Sequence, residues 1–484
     1  MVRIELNNNK FKLIGKVKIL NKIYERMKVK HPNQWYLRSY MEPGWDGKIK
    51  YLSDAGYART GLLPMVINLL KEYKRNYEII DFRKKLEFNE IPLEVGEFKA
   101  RNYQIEAVES IIYNKIGGVS FRRGVIGAAV NAGKTLIAAM VYKSFPEARA
   151  LILINNRELY NQFMDDMPLM FGEKWGYMQG QKVKWEKIMI CMTPTLRNNL
   201  ERYSSKLAEY NMVIFDECHL ITSKTNKKVV TALYNTMIRI GLSGTPFNHK
   251  DPTKNMDVRA FFGDEVYNIK SIELMGMGYS TPVVIKIIKG NTKIKIKGDY
   301  DEEYKQSITR SQKRTEMSLQ RAGFYLRRGC SPILIVGRYH EHVESLYDNF
   351  KKRFGGEYNI EYIHHKIKDR KEILDRFKAG RIDILISSLI VKLGQNIPLI
   401  KYMQNAAGGD SAINALQLVG RAIRIHKSKE KVYFEDFWDS GYYLQKHSRH
   451  RINYYKGEDF KVIFLNEEIE QRYYRYSRDY SRKT

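Results

Sequence analysis

Two short segments hold residue types that, at their spacing, could bind and cleave a polyphosphate. In Gly127-Ala128-Ala129-Val130-Asn131-Ala132-Gly133-Lys134-Thr135, a Gly-Lys-Thr triplet follows an apolar stretch and precedes the helical run Leu136 to Tyr142. Amides at the amino end of such a helix can cradle phosphate oxygens, with Asn131, Ala132 and Gly133 forming the loop, Lys134 adding a point charge and Thr135 a hydroxyl for Mg²⁺. The glycine that a phosphate loop carries five positions before its Gly-Lys is displaced: Ala128 stands there, with Gly127 beside it. Further along, Met212-Val213-Ile214-Phe215-Asp216-Glu217-Cys218-His219 reads as a buried strand ending in two carboxylates. Asp216 would hold Mg²⁺ through water, and Glu217, beside the metal, would orient and deprotonate the attacking water. His219, next to that pair, can relay nucleotide state to neighbouring elements.

These residues need a scaffold that brings a loop and a strand end together. From about residue 97, short apolar strands alternate with helical stretches, which is the pattern of βα units around a parallel sheet. Ala150 to Ile154, Met189 to Met192 and Met212 to Phe215 read as buried strands. The rhythm returns with Ile333 to Val336, Ile360 to Ile363 and Ile384 to Ser387, after a Lys/Arg-rich stretch between about 286 and 328, and this predicts a second α/β domain beyond a hinge. Before the first, residues 1–50 carry a net charge of +8 and residues 51–100 balance to zero, and Phe11 to Lys18 alternates like a two-faced strand. From about 441 the chain is rich in Tyr, Arg and Lys and reads as a helix with a frayed end. The expected architecture is α/β: a small N-terminal α+β domain over 1–95, parallel-sheet domains over 96–280 and 281–440, and a helical basic tail over 441–484.

The 484 residues leave room for about three domains. Hydrophobic residues at 43% with only 12 prolines argue against disorder over most of the length. The formal charge of +29 makes a polyanion the first partner to consider. Cys191, Cys218 and Cys330 lack the spacing of a disulfide framework or a zinc site, which fits a reducing compartment. No apolar run approaches a membrane span, and the first residues lack a signal-peptide core. A cytoplasmic protein, neither secreted nor membrane-bound, is expected.

The order Tyr103-Gln104, Asn131 to Thr135, Asp216-Glu217-Cys218-His219, Ser243-Gly244-Thr245-Pro246 and Gln417-Leu418-Val419-Gly420-Arg421-Ala422-Ile423-Arg424 resembles the superfamily-two helicases. The resemblance implies two RecA-like domains driven by ATP with Mg²⁺. It implies that Gln104 reads adenine, that Ser243 and Thr245 couple hydrolysis to motion, and that Gln417, Arg421 and Arg424 belong to the second half of the site. The two arginines, three apart, would share one face of a helix and reach the γ-phosphate when the domains close, as arginine fingers. Pro43-Gly44-Trp45-Asp46-Gly47-Lys48-Ile49-Lys50, Gly61-Leu62-Leu63-Pro64 and the unusual Asn131-Ala132-Gly133-Lys134 loop are similar to the phage UvsW-type branched-DNA helicases. In the coupling element Gly394-Gln395-Asn396-Ile397-Pro398, Asn396 replaces that family's Asp.

This resemblance implies an ATP-dependent DNA helicase or translocase that unwinds or branch-migrates junctions, D-loops and R-loops in recombination, repair and replication. It implies action in the host cytoplasm if the chain is of phage origin, on DNA or an RNA–DNA hybrid, and as a monomer. It also places the strand across loops that follow sheet strands, making Asn156, Arg157, Thr193, Arg338, Ser387 and Ser388 candidate nucleic-acid contacts. An RNA helicase and a non-catalytic basic nucleic-acid-binding protein are the alternatives. Deleting residues 1–95 is expected to spare basal hydrolysis and to weaken junction binding.

Overall fold

The structure, a computed structural model, describes residues 1–32, 34–36, 45–247, 251–290, 296, 298–388, 399–410 and 412–481. It divides into two units, Met1–Ile269 and Lys270–Thr484.

The strands Ala150–Ile154, an unbroken apolar run, and Met212–Asp216, apolar up to its final aspartate, are buried at every position, as strands covered on both faces must be. They form an eight-stranded sheet in the order Lys182–Lys184, Gly176–Gln179, Ile188–Met192, Ala150–Ile154, Met212–Asp216, Ile238–Ser243, Arg123–Ala128, Glu265–Ile269. Every pairing in it is parallel except the hairpin between its first two strands. The second unit holds a seven-stranded, wholly parallel sheet in the order Ile360–Ile363, Ile384–Ser388, Ile333–Gly337, Tyr402–Asn405, Val432–Trp438, Val283–Lys289, Val462–Phe464. The chain thus has the two parallel-sheet α/β domains read from its sequence.

Three local expectations change. The strand starting near Phe11 ends at Ile14, and Val17 opens the helix Val17–Arg26. Past Gly15 the apolar residues Ile19, Leu20, Ile23 and Tyr24 follow helical spacing and pack on the core, which overrides the apparent alternation. The Lys/Arg-rich stretch is no linker, because Val283–Lys289 is a strand within the second sheet and Gln312–Leu326 is a helix packed against it. The carboxy-terminal segment is two helices, Leu444–Gly457 and Glu467–Ser481, separated by the strand Val462–Phe464, whose apolar run pairs with Ile285 to Ile287 at the sheet edge.

Residues 1–95 include a four-stranded sheet, in the order Tyr57–Arg59, Lys10–Ile14, Val2–Leu6, Tyr77–Asp81, with the helix Leu63–Glu72 beside it. Ile4, Phe11, Leu63 and Leu70 share one continuous core with Val213 and Phe215 of the large sheet and with Val229 and Phe262 of the helices Lys224–Ala232 and Pro252–Phe262. Polar ties close the seam: Tyr51 Oη donates to Thr253 O at 2.7 Å, Asn9 Nδ2 to Thr231 O at 2.9 Å, and Arg83 to Ser120 O at 2.7 Å. At Gly61 a Cβ would stand 2.2 Å from Arg259 O, so the chain passes at a distance only glycine allows. The packing argues against a separable first domain. We predict that deleting residues 1–95 abolishes cooperative thermal unfolding of the first unit and its soluble expression; a soluble truncated chain with the full-length melting midpoint would contradict this.

Candidate nucleotide site

Strands Met212–Asp216, Ile238–Ser243 and Arg123–Ala128 are neighbours in the first sheet and run parallel, so their carboxyl ends open on one edge. That edge brings together the loop before Lys134, the pair Asp216-Glu217 and the turn Ser243-Gly244-Thr245. The register sets Gly127 beside Ser243. A Cβ on Gly127 would meet Glu265 Oε1 at 2.2 Å and Asn268 Nδ2 at 2.5 Å, while Ala128 is fully buried as the last residue of its strand. The displaced glycine therefore answers to strand packing.

The loop is held by its own geometry and by the helix Asn102–Ile112. Asn131 and Gly133 take left-handed backbone angles, φ 75° and 73°, and Gly133 precedes the helix Lys134–Lys143. Gln104, 2% exposed, donates through Nε2 to Ala132 O at 2.9 Å and accepts the Arg101 amide on Oε1 at 2.9 Å. Tyr103 Oη donates to the same carbonyl at 3.0 Å. A Cβ on Gly133 would stand 2.4 Å from Gln104 Nε2. In this arrangement Gln104 positions the loop, with both ends of its amide engaged.

Lys134 Nζ lies 3.2 Å from Glu217 Oε1. Glu217, itself left-handed at φ 55°, accepts from Ser243 Oγ at 3.3 Å on its other oxygen. His219 Nδ1 stands 3.0 Å from Ser243 Oγ and 3.3 Å from Glu217 Oε2, and the Thr245 amide donates to Ser243 Oγ at 3.1 Å. His219, Ser243 and Thr245, three of the predicted coupling residues, thus join the predicted catalytic carboxylate in one network. Burial alone would raise the Glu217 carboxyl, but Lys134 and His219 pull it below its ordinary value. Asp216 goes the other way: burial raises it against the pull of Lys134, and its Oδ1 is buried with no hydrogen-bond partner. An orphaned buried carboxylate oxygen near an ammonium, with Thr135 in the first turn of the helix, fits a phosphate-bound divalent cation. Among the described residues no group of three or more His, Cys, Asp or Glu is placed to hold a metal ion, so a cation here would rest on Asp216, the Thr135 hydroxyl and the phosphates themselves.

In the second unit Gln417 and Arg421 lie on the helix Ala412–Ala422, half-buried. Arg424 lies past the end of that helix, so the two arginines do not share a helical face. The helix end is pinned: the Thr281 amide donates to Ile423 O at 2.7 Å, Thr281 Oγ1 to Arg424 O at 3.2 Å, and Lys429 Nζ to Ala422 O at 2.8 Å. Gly394 lies outside the described residues. Of the candidate nucleic-acid contacts, Arg157 is exposed and Asn156 and Arg338 are half-buried. Thr193 is fully buried and donates to Ile154 O at 3.2 Å; Ser387 and Ser388 are also buried, with Ser387 Oγ on Ser388 O. Those three hydroxyls face the protein interior.

Sequence reasoning missed a buried ionic set behind this helix. Arg451 pairs with Asp436 at 2.7 Å, Arg314 pairs with Asp439, and both arginines donate to carbonyls of the loop 406–410 that leads into the helix. The signal is present in Phe434-Glu435-Asp436-Phe437-Trp438-Asp439, acids placed within an apolar strand run that could only be buried against cations.

This architecture and the paired carboxylates beside a phosphate loop define a nucleotide-driven motor, and residue comparison gives the class. Residues 97–248 match the family described as type III restriction enzyme, res subunit, and residues 319–426 match the helicase conserved C-terminal domain. The chain belongs to the superfamily-two helicases and is an ATP-hydrolysing enzyme. It is 25% identical over 463 residues to the ATP-dependent DNA helicase uvsW of Enterobacteria phage T4, covering 87% of this chain and 90% of that protein. It is 23% identical over 358 residues to the DNA 3'-5' helicase XPB of Kineococcus radiotolerans, covering 70% of this chain and 59% of that protein. In fold it is similar to S. cerevisiae Dbp5 bound to RNA and ADP BeF3, with a TM-score of 0.51 at 12% identity over 78% of this chain and 93% of that one.

Two predictions follow from these contacts. Lys134→Ala removes the cation facing the carboxylate pair and should reduce ATP turnover to background in a steady-state phosphate-release assay; turnover within tenfold of wild type would refute the site. Lys429, 8% exposed, has its amine lowered to about 7 by burial. The unfolded chain, with a lysine value near 10.4, binds more protons between those two values, so this group's stability contribution rises with pH through that window and its burial cost is complete below it. Denaturant unfolding should show wild type gaining about 2 kcal/mol from pH 7 to 9 relative to Lys429→Met; parallel pH profiles would exclude the effect.

Proposed function

We propose that the chain is an ATP-dependent DNA helicase or translocase that remodels branched DNA. The observation that carries this reading is the network Lys134–Glu217–Ser243–His219, which ties the hydrolytic carboxylate to the turn Ser243-Gly244-Thr245 through hydrogen bonds. A shift at Glu217 on nucleotide binding would reach that turn directly. Nucleotide phosphates would compete with Glu217 for Lys134, freeing the carboxylate to accept a proton from water. Mg²⁺, held by Thr135 and Asp216, would neutralise charge on the phosphate oxygens. Arg421 and Arg424 would supply further positive charge from the second unit, and Gln417 would orient beside them.

DNA is the substrate named for the relatives uvsW and XPB, and branched DNA is what the resemblance to the UvsW-type helicases implies. Arg157 and Arg338, which follow strands of the two sheets, are our candidates for backbone contacts. The basic residues 1–50, at +8, would add a duplex-facing surface carried on the first unit. We assign the site to one copy of the chain.

The test is steady-state ATP hydrolysis at one salt concentration without nucleic acid, then with single-stranded DNA, duplex DNA, a four-way junction or single-stranded RNA. Strongest stimulation by the junction is the expected result. Stimulation by RNA alone would replace the proposal with an RNA helicase, and no hydrolysis with any of them would leave a binding protein.

A further inference from the structure

Three neighbouring parallel strands of the second sheet, Ile333–Gly337, Tyr402–Asn405 and Val432–Trp438, end on one edge. The residues that follow the outer two, Arg338 and Tyr442-Tyr443, are linked by aromatic rings. The Arg338 guanidinium lies 4.6 Å from the Tyr304 ring centroid and 5.7 Å from that of Tyr300, and donates to Tyr300 Oη at 2.7 Å. Tyr300 meets Tyr443 edge-on at 6.0 Å, and Tyr443 meets Tyr442 edge-on at 4.9 Å. The series ends in solvent, where Tyr442 is 54% exposed.

An exposed tyrosine in a turn is ordinarily loose, but this one is tethered. Glu303, fully buried, accepts on its carboxylate the amides of Tyr442 at 2.8 Å, Tyr443 at 2.9 Å, Leu444 at 3.1 Å and Ile296 at 3.2 Å. Gly441 makes room for it, since a Cβ there would stand 2.2 Å from Glu303 Oε1. Tyr443 Oη also accepts the Gly298 amide at 3.1 Å. A buried carboxylate thus fixes the backbone beneath an exposed ring, which removes most of the ordering cost of binding to that ring. Neither the nucleotide site nor the sheet core uses Tyr442.

The chemistry of the face selects its ligand. Lys305 and Lys446 are exposed here, but so are Asp299 and Asp301, so attraction of phosphate alone does not account for it. Rigid tyrosines beside an arginine stacked on aromatic rings are the groups that meet an unpaired base. We infer that Tyr442, backed by Tyr443 and Arg338, is a stacking platform for one unpaired base of a single strand bound by the second unit. This deepens the nucleic-acid reading above and rests on it.

The test measures anisotropy of a labelled oligothymidine strand, and of the same backbone carrying abasic sites, with full-length wild type, Tyr442→Ala and Tyr442→Phe across a salt series. Tyr442→Ala should weaken oligothymidine binding by about 5- to 100-fold. It should leave abasic binding, the salt slope and the thermal midpoint as in wild type. Tyr442→Phe, which keeps the ring, should bind oligothymidine within about twofold of wild type. Equal oligothymidine affinity of Tyr442→Ala and wild type, or equal losses on both strands, would overturn the platform. Failure of wild type to bind either strand would overturn the nucleic-acid reading itself.

Discussion

The ion pair between Lys134 and Glu217 is possible because three strands that are distant in sequence lie side by side in one parallel sheet. Lys134 follows the strand Arg123–Ala128, Glu217 follows Met212–Asp216, and Ser243, between them, ends Ile238–Ser243. A cation and two carboxylates at a buried strand edge carry a desolvation cost that only close pairing offsets. Pairing is incomplete, since Asp216 Oδ1 has no partner, and that residual imbalance is what makes the edge a site for a charged ligand. Two of the five described non-glycine residues at positive φ, Asn131 and Glu217, lie at this edge, each at a junction between strand and helix or loop.

The second unit solves a similar positioning problem by other means. Its helix Ala412–Ala422 follows the loop 406–410, where Gly408 and Gly409 take φ 63° and 94°. That loop is held from below by charged side chains: Arg314 donates to Ala406 O at 3.3 Å, Arg451 to Gly409 O, and His450 contacts Asp410. The arginines are anchored in turn by Asp439 and Asp436, both almost fully buried at the end of Val432–Trp438. Breaking one partner would leave the other charged and buried, so the arrangement is stiff. The carboxy-terminal helix Leu444–Gly457, which carries Arg451 and His450, is therefore a structural support of the element bearing Gln417 and Arg421.

What the sequence disclosed divides along a physical line. The buried strands at Ala150, Met212 and Ile333 were readable because continuous apolar runs of that length have few other uses, and the order of short motifs pointed to Lys134, Glu217, His219 and Ser243, side chains that the structure brings into contact. Contacts between residues far apart in the chain were not readable. Nothing local in Glu303 announces that its carboxylate will gather amides from Ile296 and from Tyr442 to Leu444. Thr193, Ser387 and Ser388 stand after strands, where a nucleic-acid track was expected, yet burial depends on neighbours that strand position does not specify. Arg424 fell beyond its helix because Thr281, in another part of the chain, holds the carbonyls of Ile423 and Arg424.

The same reasoning explains why the amino-terminal sheet cannot be a loosely attached accessory. Arg123 and Arg239 face each other in adjacent strands of the large sheet, both about 1% exposed. Burial lowers both guanidinium groups, Arg239 to about 9, and the charge of a neighbouring arginine adds to it, Arg239 acting on Arg123 and Arg59 on Arg239. Arg239 donates to the Leu233 carbonyl at 2.9 Å and to the Thr236 hydroxyl at 2.8 Å, and Arg123 to the carbonyls of Thr236 at 3.0 Å and of Asn8, in the turn between the first two strands of the amino-terminal sheet. A buried guanidinium needs every acceptor it has, because carbonyl dipoles offset its desolvation only when several converge. Asn8 supplies one of those acceptors, and Arg59 and Arg83, from the same segment, reach back across the seam to Thr231 and Ser120. The amino-terminal sheet and the large sheet therefore share hydrogen bonds as well as a core. The described part of residues 1–50 therefore belongs to the same compact unit as the nucleotide site.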